Sequence, residues 1–526
     1  MANKDHTDPA RMEKIVSLCK RRGFIFQAGE LYGGLNGCWD YGPLGAELKR
    51  NLKDYWWRKT VQERDDVLGL DGAILTMPQV LKSSGHLDGF SDPMCDCLLS
   101  KTRLRSDQVP AQDGIAVYFK GAKHEASAWS VERPFAVLVA PGKDPVESHK
   151  TARRFYGELM PDKKISPKEL ELVEDRREEV TGTTSFNPDN GGLLTEPRDF
   201  NLMFKTKMGA SADDNDPSSD AYLRPETAQS IFVQYKNVLD SNRIKLPFGI
   251  AQIGKSFRNE INPRNYTFRS REFEQMEIEY FCRPEDGMRL TDEWLEARLN
   301  FYAEIGIPRE KLHILDVPDG ERAFYSKKTY DIEYEFPFGI QELEGVAYRT
   351  DYDLKVHQKG SGKPLEYFDE ETKERFLPHV VEPSAGCDRT LLALICEAYD
   401  EEKLTDDKGK DDSREVLRFV PRMAPVKAGI FPLLKKNEEQ VRICKEIQKK
   451  LQPWMTVFYD DGGSVGKRYR RQDECGTPFC ITVDFDTLGE NGPEQKDTVT
   501  VRHRDSMEQE RLPVDALLPW LLERVR

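Results

Sequence analysis

The chain has 526 residues, enough for two to four domains with sizeable cores. Its 32% charged content and mean hydropathy of −0.66 leave no stretch approaching the ~20 apolar residues of a membrane span, and a net charge of −14 excludes bulk attraction to nucleic acid. Any RNA contact must therefore come from local basic patches. Ten scattered cysteines, none spaced C-x-x-C, point to reduced thiols in a cytoplasm, and the opening MANKDHTDPARMEK lacks the apolar run of a secretory signal.

Residues 9–22 predict a short helix with a basic end (Lys20, Arg21, Arg22), stopped by Gly23. Pro43 opens a second helix with Leu44, Leu48, Leu52, Tyr55 and Trp56 at core-facing spacing. The charged stretch 166–180 reads as helical. A helix opening at Pro225 buries Ile231, Phe232, Tyr235 and Leu239, and holds Glu226 in its first turn, where the helix dipole favours a carboxylate. Two antiparallel strands joined by a polar loop follow, ending near Phe281. Period-2 geometry sets Gln252, Ser256, Arg258 and Glu260 on one face of the first. On the second strand Phe273, Gln275, Glu277 and Glu279 share a face, opposite Met276, Ile278 and Tyr280. Such a hairpin suits a planar polyanion, with Arg258 on a phosphate and Phe273 under a base.

Beyond it lie an amphipathic helix (Trp294, Leu295, Leu299, Tyr302) and a strand-rich excursion. Glu342 and Glu344 alternate with apolar residues, which places both on one face of a strand. The strand HVVEPS likewise aligns Glu382 with Ser384, and Ala385-Gly386 turns the chain into a helix whose first turn contains Arg389. Residues 400–415 are charged and almost free of apolar side chains, so they read as a flexible linker. From about 418 strands and helices alternate, predicting a separate α/β unit with a mixed sheet. GGSVG fails the P-loop spacing, and the following KRYRR (467–471) reads as an RNA-facing patch.

The run FRNE, a loop and then REF resembles motif 2 of class II aminoacyl-tRNA synthetases. YGPLG with DVLGLDGAILTMP resembles motif 1, and EPSAGCDR resembles motif 3. RNEINPR, REFEQMEIEYF, LKSSGHLDGFSDP, RPET, YRTDYD and the tract YDDGGSVGKRYRRQDECGTPFCITVDFDTL are similar to the homodimeric type of glycyl-tRNA synthetases. The likeness covers nearly the whole chain apart from 94–194 and parts of 301–340 and 400–415. It implies an α+β fold, an antiparallel class II sheet flanked by helices with inserted subdomains and a C-terminal α/β anticodon-binding domain. The implied division is 1–93 (catalytic part with motif 1), 94–194 (insertion), 195–400 (catalytic core, with a second insertion near 301–340), 401–417 (linker) and 418–526 (anticodon-binding).

The resemblance further implies ATP-dependent activation of glycine, transfer to the 3′ end of the tRNA for glycine, and a homodimer built through motif 1. Carried over residue by residue, Arg258, Asn259, Glu260, Arg269, Ser270, Phe273, Glu342, Leu343 and Arg389 would bind ATP, with Arg258 and Arg389 the catalytic pair. Glu226, Glu277, Arg349, Glu382, Pro383 and Ser384 would bind glycine, and Glu342 would hold Mg²⁺. Ser230 replaces a usual glycine, and Ile340-Gln341 a usual Trp-Gly. Relatives often carry a zinc ribbon in the insertion. Here Cys97-Leu-Leu-Ser100 and Asn187-Pro-Asp-Asn190 retain one of four ligands, so no structural zinc is expected.

Overall fold

The structure, a computed structural model, describes residues 7–161, 165–209, 216–405 and 411–526. Part of the expected linker, 406–410, and the first six residues of the opening segment lie outside them. The chain forms two compact units, one of residues up to Ser84, Phe204–Arg258 and Pro263–Arg526, the other of Gly85–Met203 and Asn259–Asn262. Among the described residues no helix is long and apolar enough to cross a membrane.

The larger unit is built on a seven-stranded sheet. Its strands are β1 (Val67–Gly69), β2 (Phe248–Phe257), β3 (Glu272–Cys282), β4 (Leu312–Asp316), β5 (Lys328–Phe336), β6 (Gly339–Thr350) and β7 (His379–Gly386), ordered β4-β5-β6-β7-β3-β2-β1. All neighbours are antiparallel except β1 and β2. The relevant helices are α1 (Pro9–Arg22), α2 (Pro43–Trp57), α3 (Ala228–Asn242), α4 (Gly287–Ile305), α5 (Tyr352–Ser361) and α6 (Cys387–Ala398). One face of the sheet, with Met276 and Ile278 of β3, packs on Leu48, Leu52 and Trp56 of α2, Leu299 and Tyr302 of α4 and Leu391 and Ile395 of α6. Each such fully buried side chain contributes ~1.5–3 kcal/mol. The opposite face is divided. Its apolar end (Phe248, Ile250, Phe281, Val380) is covered by Ile231, Phe232 and Tyr235 of α3 and Leu354 of α5. Its polar end, Gln252, Ser256, Phe273, Gln275, Glu277, Glu382 and Ser384, is where the candidate site lies.

Several sequence expectations are corrected. The stretch 301–340 supplies β4 and β5 of the central sheet rather than a separate insertion. Where a flexible linker was expected at 401–417, the segment holds an antiparallel pair of strands, Tyr399–Thr405 and Asp411–Leu417. Its charges are used internally: Arg414 is buried against Asp473 at 3.0 Å and Glu402 at 2.9 Å, and Arg418 reaches Asp400 at 3.1 Å. The KRYRR segment lies in the helix Val465–Cys475, with Lys467 exposed, Tyr469, Arg470 and Arg471 half-buried, and Arg468 buried. Helical periodicity turns Arg468 inward, where it donates to the carbonyls of Pro432, Asp461 and Gly463, and Arg471 pairs with Asp460 at 2.6 Å. The surrounding C-terminal part has a five-stranded mixed sheet, with Ala428–Pro432 parallel to Val457–Tyr459 and Phe479–Val483, and Thr498–His503 and Gln509–Pro513 antiparallel.

The smaller unit centres on a sheet ordered Trp129–Val139, Gln112–His124, Glu171–Thr183, with the helix Glu147–Leu159 packed on it through Phe155 and Tyr156. Its charged segment 166–180 is thus mainly edge strand, not helix. Edge strands tolerate charge on both faces because neither is fully covered, and pairing to the central strand overrides the weak helix preference of Glu and Arg. Cys97, Ser100 and Asn190 come together, with Cys97 Sγ 3.6 Å from Asn190 Oδ1 and Asn190 Nδ2 3.4 Å from Ser100 Oγ. All ten cysteines are free thiols.

Candidate active site

The polar end of the sheet gathers carboxylates from β3 and β7, from the segment ahead of α3 and from the first turn of α5. Glu277 of β3 lies opposite Ser384 of β7 and Gln252 of β2. Ser384 Oγ donates to Glu277 Oε1 at 2.8 Å, and the Thr227 hydroxyl donates to the other oxygen. Burial first, and then the charges of Glu382 and Glu226, push the Glu277 carboxyl up to about 8, the two hydroxyls opposing. Glu382 is buried on β7 and its carboxyl is also raised, by burial foremost, against the pull of Arg349. Arg349 Nη1 lies 2.9 Å from both Glu382 oxygens, while its Nε and Nη2 reach Asp353 at 2.8 and 2.9 Å. Pro383 is buried between Glu382 and Ser384.

Glu226 does not stand in the first turn of a helix as expected, because α3 starts at Ala228. The carbonyls of Arg224 and Pro225 accept from Phe257 N and Arg258 Nε, which holds 224–226 against the end of β2. Glu226 Oε1 accepts from Gln229 Nε2 at 2.9 Å. Ser230 fits the wall without disturbance, donating to Thr227 O at 2.7 Å and accepting from Gln252 Nε2 at 2.8 Å.

A second group of residues flanks this pocket. Arg258 directly follows β2, its amide bonded to Arg271 O at 2.9 Å, its Nε to Pro225 O at 3.1 Å, and its guanidinium 5.3 Å from the Phe273 ring centre. Arg389, in the first turn of α6, lies 4.5 Å from the Phe268 ring centre and donates to Glu342 Oε2 at 3.1 Å. Arg269 and Ser270 lie in the loop between β2 and β3, Ser270 buried and donating to Thr267 O at 3.3 Å. Asn259 and Glu260 belong to the smaller unit, where Glu260 is buried.

Glu342 and Glu344 do not share a face. Glu333 pairs with Glu342 but Ile332 with Glu344, so Leu343 is an extra residue in the β5–β6 ladder. The bulge leaves the Glu342 side chain 51% exposed beside Arg389 and turns Glu344, 1% exposed, into an ion pair with Arg298 at 2.7 Å. Leu343 itself packs in the core, so its side chain is unavailable to a ligand. The same register puts Asp331 and Glu333 on the side of Glu342. Burial, then Glu342 and Glu333, push the Asp331 carboxyl up to about 7, against Arg389.

Thr227, Gln275, Asp353 and Asp331 were not singled out from the sequence. Gln275 had a signal, its place on the Phe273–Glu277 face. Its Oε1 accepts from Ser256 Oγ at 2.7 Å and from Thr227 N at 3.2 Å, which fixes both walls.

Residues 204–399 match the family described as the class II core domain of tRNA synthetases for G, H, P, S and T, and residues 427–524 the anticodon-binding domain. With the antiparallel sheet and its arginine-flanked pocket, this defines a class II aminoacyl-tRNA synthetase core joined to an anticodon-binding domain. Similar chains include proteins named glycine–tRNA ligase from Rhodopirellula baltica (44% identical, covering 98% of this chain and 99% of that one) and Treponema denticola (45%, covering 98% and 97%). Another is from Clostridium perfringens (47%, covering 96% of each). The chain belongs to the glycine–tRNA ligase family.

Proposed function

We propose that this chain activates glycine with ATP to glycyl-adenylate and transfers the glycyl group to the 3′-terminal adenosine of its tRNA. The observation that carries this reading is the cluster of buried Glu277 and Glu382 with half-buried Ser384, bordered by Glu226, which suits an ammonium group with no side chain beside it. Arg349 braces Glu382 at the rim. ATP extends over the same sheet, its adenine on Phe273. Arg258 bridges the α-phosphate and the glycine carboxylate, while Arg269 and Arg389 hold the outer phosphates, with Ser270 and the Leu343 main chain at the borders. The glycine carboxylate attacks the α-phosphorus and pyrophosphate leaves. Positioning and charge stabilisation do this work, without a nucleophilic side chain.

Glu342 and Asp331 offer the hard oxygen donors that Mg²⁺ takes, and the cation, when bound, neutralises charge on the outer phosphates. Residues 418–526 serve as the anticodon-binding domain, the match at 427–524 supporting this division. A homodimer through the motif 1 region, helped by the exposed Leu75 and Met77, should sediment at twice the chain mass. Reduced thiols support a cytoplasmic location. Pyrophosphate exchange measured with each of the twenty amino acids tests the whole reading: glycine alone should support it.

Every competing amino acid is larger than glycine, so exclusion is steric and no editing site is required. Ser384 fills the space where a side chain would emerge. Ser384→Gly should raise alanine activation relative to glycine by roughly 10–100-fold, the equivalent of ~1–3 kcal/mol per methylene-sized space. Unchanged rejection of alanine in the exchange assay would remove Ser384 as the gate.

A further inference from the structure

One carboxyl of the substrate-facing strand has no role in that chemistry. Glu279 follows Glu277 by two residues on β3, on the same face, and is fully buried. Neither of its oxygens has a hydrogen-bond partner among the described residues. Register pairs Glu277 with Ser384 and Tyr280 with Val381, which sets Glu279 across from Glu382. One oxygen of each of Glu277, Glu279 and Glu382 lies within 4.8 Å of the others.

The surrounding groups offer Glu279 little compensation. Arg224 gives its guanidinium to the carbonyls of Lys255 and Gly72, at 2.7 and 2.8 Å. On β6, Arg349 is engaged by Glu382 and by Asp353 of α5. His357 of α5 bonds Gln229 of α3 at 2.8 Å. Tyr325 lies with its ring centre 4.1 Å from the Arg349 guanidinium. Glu277, Glu279 and Glu382 thus act on one another, with Glu226 and Asp353 beside them, against the guanidinium of Arg349 and, at Glu277, that of Arg224. A carboxylate ionised there, without hydrogen bond or cation, is unstable relative to its protonated form.

We propose that Glu279 is a proton-exchanging residue of amino-acid recognition, protonated in the glycine-free pocket and giving its proton to solvent as the ammonium group enters. This rests on the reading that the glycine ammonium seats among Glu226, Glu277 and Glu382. The Glu279 O–H bond breaks, its proton passes to the buffer, and the incoming ammonium supplies the positive charge, so the net charge of the pocket is conserved. Burial, then Glu382, holds the Glu279 carboxyl well above the ordinary carboxylate range, with Arg349 opposing, which agrees with the geometry. The unpartnered oxygens also explain why this side chain spends nothing on structural contacts: its partner is the substrate's charge.

Titration calorimetry of the full chain with glycine at pH 7, in two buffers of different ionisation enthalpy, counts the protons released. The wild type should release about one proton per glycine, and the KM for glycine should fall at least about tenfold between pH 6 and pH 8. In Glu279→Gln, which keeps the shape, the release should drop at least twofold and the pH dependence of KM should shrink to less than about threefold. A simple packing role would move the unfolding midpoint but not the proton count. Heats identical in both buffers for the wild type would overturn the proposal without needing any variant. So would equal release by the variant, which would move the proton to Glu277. Absence of glycine binding in either buffer would overturn both this proposal and the function on which it rests.

Discussion

Arg258→Ala should lower glycine-dependent ATP–pyrophosphate exchange by at least about 100-fold, because ~3 kcal/mol of transition-state stabilisation is lost with a positioned charge of this kind. The guanidinium is already held without ligand. Its Nε lies 3.1 Å from Pro225 O, its main chain is bonded to Arg271 O at 2.9 Å, and Phe273 lies beneath it at 5.3 Å. A planar guanidinium can meet a phosphate oxygen and a carboxylate oxygen together. Arg258→Lys should rescue little, since an ammonium lacks the planar fork that spans two acceptors and cannot keep the Pro225 contact at the same time. The loss should fall on the rate at saturating glycine and ATP rather than on either KM alone. A near-wild-type exchange rate for Arg258→Ala would end the assignment of this arginine to the reacting phosphate.

How much of this was legible from the sequence depends on whether a simple period held. Along β2 and β3 it held, so Gln252, Ser256, Phe273, Gln275 and Glu277 could be placed on one face by counting in twos, and the ladder pairs them as the count requires. At Leu343 it failed. One extra residue in the β5–β6 ladder sends Glu342 and Glu344 to opposite sides, and nothing in QELEGVAY announces a bulge. Charge was the other source of error. KRYRR looked like a surface because arginines usually are, yet Arg468 is buried on three carbonyls from a neighbouring strand end and loop. The run at 400–415 looked unstructured for the same reason, and its paired strands depend on Asp473, about sixty residues downstream. Long-range partners of that kind leave no local signature. The Arg349–Asp353 pair is more instructive, since its spacing of four was visible but its burial was not.

That pair underlies the second large effect. Asp353→Ala should destabilise the chain by ~3–5 kcal/mol, because removing one partner strands a buried guanidinium. Both side chains are nearly inaccessible, at 4% and 1% exposure, and Asp353 stands in the first turn of α5, where the helix dipole adds to the stability of its carboxylate. Its two contacts, at 2.8 and 2.9 Å, occupy one edge of Arg349, and the remaining Nη1 holds both oxygens of Glu382. Losing Asp353 therefore frees Arg349 to turn, and Glu382 loses its fixed position beside Glu277 and Ser384. The unfolding midpoint should fall, and the KM for glycine should rise at least about tenfold, the scale of one lost charge-assisted contact. The KM for ATP should change little, because Phe273 and Arg389 do not touch this pair. Asp353→Asn keeps an oxygen acceptor for one of the two N–H groups and should recover about half of the stability. Should the alanine variant unfold normally late and bind glycine as tightly as before, Arg349 would not be the brace of the ammonium pocket.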